Sequence, residues 1–136
     1  KRSHAKGEWG HAWITLEESS SRPMSYGFWP AEAAAKKPST LWRQFPGAVS
    51  AQPGLLDEQM TKADATHTWD VAGSRYQSAL DYVQSFEGQK WSLCVNCTTF
   101  AIGALRAAGI QVPSNLTTFG YPDPNKFADW LDSQAR

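Results

Sequence analysis

The sequence predicts an α+β domain in which helices pack on a small, mostly antiparallel sheet. Three observations carry this. Short stretches alternate with a period of two, as in Ala12, Ile14 and Leu16 against His11, Trp13 and Thr15. Later stretches change to the helical period, as in Tyr76, Ala79, Leu80, Val83 and Phe86, and again in Phe100, Ala101, Ala104, Leu105 and Ala108. The length, 136 residues, suits one core rather than two, so a single domain spanning 1–136 is expected.

Trp9 to Glu17 reads as the first strand and Ser25 to Trp29 as the second, joined through the polar stretch Glu17 to Pro23. Pro30 suits a first helical position and would open a short helix through Lys37. From Pro38 to Asp64 the chain reads as irregular, with Pro-Gly at 46–47 and 53–54, either a substrate-binding loop or a stretch that hides short elements. Ala65 to Val71 restores strand alternation, and Ser74 is placed to cap a helix through Phe86. Asn96 is a good N-cap and Gly109 ends the apolar stripe that follows, which gives a helix with Cys97 in its first turn. Asp123-Pro124 opens a last helix through Phe127, Ala128 and Leu131. No internal repeat or low-complexity segment interrupts this pattern.

Thirteen basic and thirteen acidic side chains give zero formal charge, so no basic field points to nucleic acid. No apolar run approaches the roughly 18 residues needed to span a membrane, and no signal-like segment opens the chain. The chain begins at Lys1, as expected of a processed protein or of a domain excised from a longer polypeptide.

The chemistry centres on Cys97. At a helix start its sulfur meets the positive end of the helix dipole, which favours thiolate over thiol, while its place on the apolar stripe turns it toward the core. A small buried hydrophobe fits the same position. A strand histidine facing that helix end would serve as general base. Of three histidines, His4 lies in a polar N-terminus and His67 in the second alternating run, which leaves His11 as first candidate and His67 as reserve. Cys94 adds a C-x-x-C spacing, open to redox chemistry, to a disulfide that silences Cys97, to half a zinc site, or to a plain buried small residue. The polar stretch Glu87 to Lys90 before it, and the lack of paired histidine spacing, argue against the redox and zinc readings. No cofactor or metal is expected. Seven tryptophans are many for this length; Trp13 and Trp29 either pack the sheet or wall a cleft that takes a sugar face or an extended peptide.

The order of the Gly-His strand, then Tyr26-Gly27-Phe28-Trp29-Pro30, then Asn96-Cys97-Thr98-Thr99-Phe100 leading a helix, resembles circularly permuted papain-like thiol hydrolases related to the NlpC/P60 peptidases. In unpermuted members the cysteine helix precedes the histidine strand, and here the histidine comes first. The resemblance implies a permuted papain-like fold, with Cys97 as nucleophile, His11 as base and the Cys97 backbone N–H in the oxyanion hole. It also implies a third polar group on the strand beside the histidine, for which Ser25 is the first choice, ahead of Tyr26, Thr68 and Glu17.

The implied activity is hydrolysis of amide bonds, in peptidoglycan stem peptides above all. Small domains of this type also resemble secreted antibacterial effector modules, active in the target-cell periplasm and matched by a cognate immunity protein in the producer. Lipid acyl hydrolysis or acyl transfer, protein deamidation or proteolysis, and a non-catalytic binding module are the alternatives.

Overall fold

The computed structural model describes residues 11–18, 22–30, 45–53, 65–92, 94–118 and 120–134. Within them run β1 (Trp13–Leu16), β2 (Met24–Pro30), β3 (Phe45–Pro53), α1 (Gly73–Ser85), β4 (Lys90–Trp91), α2 (Cys97–Ala107), β5 (Thr117–Thr118), β6 (Tyr121–Pro122) and α3 (Pro124–Gln134). The architecture is α+β: a four-stranded antiparallel sheet in the order β1-β2-β3-β4, a separate β5-β6 hairpin, and three helices.

The register of β1 on β2 pairs Trp13 with Gly27, Ile14 with Tyr26, Thr15 with Ser25 and Leu16 with Met24. Because side chains alternate across a strand, Ile14 and Tyr26 share one face, while Trp13 and Thr15 share the other with Gly27 and Ser25. The Ile14 face carries the core. There Phe28, Val83, Phe86, Trp91, Phe100 and Ala104 cluster, with Phe86 edge-on to Phe28 (4.7 Å, 87°) and to Phe100 (5.2 Å, 69°). A second cluster, formed by Ala12, Cys97, Ala101, Ile102, Val112, Leu116 and Phe127, lies toward α3. α2 contributes to both, so it is apolar around much of its girth and is the central element of the fold. Gly103 lets α1 approach, since a Cβ there would overlap the Tyr82 phenol.

α2 begins and ends by local chemistry. Asn96 and Thr99 form a reciprocal capping box. At the other end Gly109 adopts φ +87°, and the Gly109 and Ile110 amides donate to the carbonyls of Arg106 (2.9 Å) and Leu105 (3.0 Å), a Schellman closure. α3 begins as expected at Asp123-Pro124, with Asp123 Oδ1 accepting from the Asn125 amide at 2.8 Å.

Of the two readings of the stretch from Pro38 to Asp64, a substrate-binding loop or hidden elements, the second holds: it contains β3, whose prolines stand at its second and last positions, and Ala48, Val49, Ser50 and Ala51 between them carry almost no alternation. Three expectations need correction. Ala65 to Val71 keeps an alternating burial but joins no ladder. It is docked instead by Trp69, which stacks on Trp130 of α3 at 5.8 Å, while His67 lies against Trp69 within the segment at 4.5 Å. The residue before α1 is Ala72, without a side-chain cap, and Ser74 lies inside the helix. Pro30, expected as a first helical position, instead closes β2 opposite Gly47, while the rest of that expected helix, 31–37, and Trp9 and Gly10 of the first strand fall outside the described residues.

Asn96 is fully buried, so its replacement strips the helix start of a cap and leaves buried amides unpaired. Asn96→Ala should lower stability by about 2 kcal/mol or more, read as a shift in the urea midpoint. A loss under about 0.5 kcal/mol would mean that the cap is not what fixes α2.

Candidate active site

The site is built outward from the N-terminus of α2. Asn96 Oδ1 accepts from the amides of Thr98 (2.9 Å) and Thr99 (3.2 Å), and Thr99 Oγ1 accepts from the Asn96 amide at 3.1 Å. Asn96 Nδ2 donates to the Pro122 carbonyl at 3.0 Å, which ties this helix start to β6 and so to the start of α3. Cys97 follows as the first helical residue, outside the box, with its own amide beside its sulfur. The sulfur accepts from the backbone N–H of Ala12 at 3.4 Å and lies 4.0 Å from Thr98 Oγ1.

The Ala12 amide is the peptide link to His11, so covalent lengths alone hold the His11 Cα within about 6 Å of that sulfur. The imidazole itself turns away. Ala12 points into the core with Cys97, and strand alternation sends His11 to the opposite face. There its ring stacks on Trp29 at 3.6 Å and 23°, with Trp13 beyond at 6.0 Å and 18°. Trp29 is fixed in turn by donation from Nε1 to Ser50 Oγ at 3.2 Å. Nε2 of His11 is buried without a hydrogen-bond partner, and no hydrogen bond links it to the thiol. The structure thus brings Cys97 and His11 to one peptide group and leaves their side chains on opposite faces.

Burial governs both groups. It lowers the His11 pKa from 6.5 to about 4, so the imidazole is neutral at pH 7. It raises that of Cys97, against the opposing hydrogen bonds from the Ala12 amide, Thr98 and its own amide. The sequence expectation of a dipole-stabilised thiolate is therefore corrected: with the residue only 4% exposed, desolvation outweighs the helix terminus and the resting form is a thiol.

Ser25 does not orient His11. It pairs with Thr15, its hydroxyl 2.9 Å from Thr15 Oγ1, and extension of the register puts Trp29 opposite His11. Four residues of strand, about 13 Å, separate Trp29 from Ser25. Trp29 serves as a platform for the imidazole, and Trp13 borders a cavity of about 400 Å³ that runs beneath β1. Facing β1 across that cavity are Ala65 to Val71 and residues of α3, among them Asn125, whose Oδ1 is buried without a partner. Sequence reasoning missed both the Ala12 amide and Asn125; the Asp123-Pro124 helix start was the only signal near the latter. Cys94 is exposed, and both cysteines are free thiols. Among the described residues no group of three or more His, Cys, Asp or Glu side chains is placed to hold a metal, and no helix is long and apolar enough to cross a membrane. Comparison with protein-family models, with curated proteins and with solved structures finds no match.

Two predictions follow from the buried pair. Iodoacetamide at pH 7.5 should label exposed Cys94 well before Cys97, read by peptide mapping; preferential labelling of Cys97 would contradict a sealed thiol. Folded His11 titrates near 4 and the unfolded group near 6.5, so the unfolded chain binds more protons between these values. Stability should fall as pH drops from about 6.5 to about 4, by up to roughly 3 kcal/mol from this group. His11→Gln should flatten that slope in denaturant titrations, and identical slopes for both proteins would overturn the assignment.

Proposed function

We propose that this chain is a thiol hydrolase of the permuted papain-like, NlpC/P60-related type that cleaves amide bonds in peptidoglycan stem peptides. One observation carries the reading: the sulfur at the first position of a capped helix rests on the peptide group that joins Ala12 to His11. A nucleophile and a base on separate elements are thereby tethered within a side chain's reach, though 86 residues apart in sequence.

In the proposed cycle the imidazole leaves Trp29 by rotation about its Cα–Cβ bond and accepts the Sγ proton, for which its neutral resting state suits it. The thiolate attacks the amide carbonyl, and the Cys97 amide stabilises the oxyanion. The imidazolium then protonates the leaving amine, and water, deprotonated by the same imidazole, hydrolyses the thioester. No side chain is assigned as a third member. By analogy with related modules, the chain acts as a secreted antibacterial effector domain in the target periplasm, opposed by an immunity protein in the producer.

Digestion of purified peptidoglycan, with product masses determined, tests this. Wild-type protein should release cleaved stem peptides, Cys97→Ala should release none, and His11→Ala should be slower by roughly 10²–10⁴. Intact peptidoglycan with the wild type would remove the substrate assignment.

The sealed thiol, with the imidazole turned away, favours a second reading as a non-catalytic binding module. That reading requires Cys97→Ala to keep every biological effect of the wild type.

A further inference from the structure

We propose that the outer edge of β1 is a docking site for an extended peptide bearing an ammonium group, which it would lead to Cys97; this rests on the hydrolase reading above. β1 is the terminal strand of the sheet, paired on one side with β2 and, among the described residues, with no strand on the other. The Ala12 amide points away from β2 at the Cys97 sulfur. The two-residue period of a strand sends the backbone groups of Ile14 and Leu16 the same way, so the sulfur stands at one end of a row of outward hydrogen-bonding groups. A peptide that pairs with Ile14 and Leu16 would continue straight to that sulfur.

The far wall makes the slot specific. Ala65 to Val71 has the alternating burial of a strand yet joins no ladder, and it lines the same cavity of about 400 Å³ as β1. A peptide laid along β1 would therefore meet strand-like backbone at 65–71 as well as side chains of all three helices, among them Tyr76, Leu105 and Phe127, a lining that suits an extended chain. The charge is matched as well. Among the described lining residues the carboxylates are Glu17 and Asp70, with no lysine or arginine, so an amine-bearing segment such as the diamino residue of a stem peptide is favoured over an acidic one.

The test is binding without turnover, by amide NMR on the full chain carrying Cys97→Ser. The probe is the stem tetrapeptide L-Ala-γ-D-Glu-L-Lys-D-Ala, with versions acetylated at the lysine amine or N-methylated along the backbone. The Ile14 and Leu16 amides and those of Ala65 to Val71 should shift. Affinity should fall at least fivefold on acetylation and at least tenfold on N-methylation, and Glu17→Gln should reproduce part of the acetylation effect. Unmoved Ile14 and Leu16 amides at millimolar peptide, or equal binding of the N-methylated probe, would overturn the site. Binding at β1 by a protein that leaves peptidoglycan intact would uphold the docking edge and remove only the hydrolase; cleavage with β1 amides unmoved would do the reverse.

Discussion

The arrangement of this molecule depends on the side chain of Asn96. It is fully buried, and its amide group holds two α2 amides through Oδ1 and the Pro122 carbonyl through Nδ2. A capping residue ordinarily fixes one helix end. This one also fixes the spacing between α2 and the turn that launches α3, because Asp123 follows Pro122 directly and caps that helix. The Cys97 sulfur, the Ala12 amide it meets and the α3 residues along the cavity are thus referred to one buried carboxamide. Substitution by aspartate would keep the acceptor for the helix amides, lose the donor to Pro122, and place a charge in a fully buried site.

The second organising fact is that β1 has two faces and the chemistry is divided between them. Apolar burial decides which face meets α2, and so Ala12, Ile14 and Cys97 are drawn together. The same decision sends His11 to the aromatic face, where contact with Trp29 replaces hydration of the imidazole. A neutral imidazole and a neutral thiol result, each less costly to bury than an ion although His11 Nε2 is left without a hydrogen bond. Under the proposed hydrolase reading, activation would belong to a conformational step rather than to a permanent charge pair.

How much of this was legible follows from the range of each signal. Helix ends are written locally: Asn96 with Gly109, and Asp123 with Pro124, marked α2 and α3 closely because caps involve residues a few positions apart. β3 was not legible, since a strand flanked by Pro46 and Pro53 is held by partners on β2 and β4 that only the folded chain supplies. Ala65 to Val71 shows the converse: alternation was present and the partner was not. Ser25 failed for lack of register, because adjacency of strands says nothing about which residue stands opposite His11. The separation of His11 from Cys97 was implicit in the alternation, since an apolar helix stripe must meet the Ala12 and Ile14 side.

The outer edge of β1, without a paired strand among the described residues, has a further consequence, for self-association. Unpaired backbone at a sheet edge is a template for another copy of the same strand. Here that edge is four residues long, and it runs into two exposed carboxylates, Glu17 and Glu18. A strand so short offers few hydrogen bonds to a second molecule, and a parallel approach would bring like charges together. An edge of this kind carries little risk of aggregation, and lengthening β1 or neutralising its acidic end would exchange that protection for a tendency to assemble.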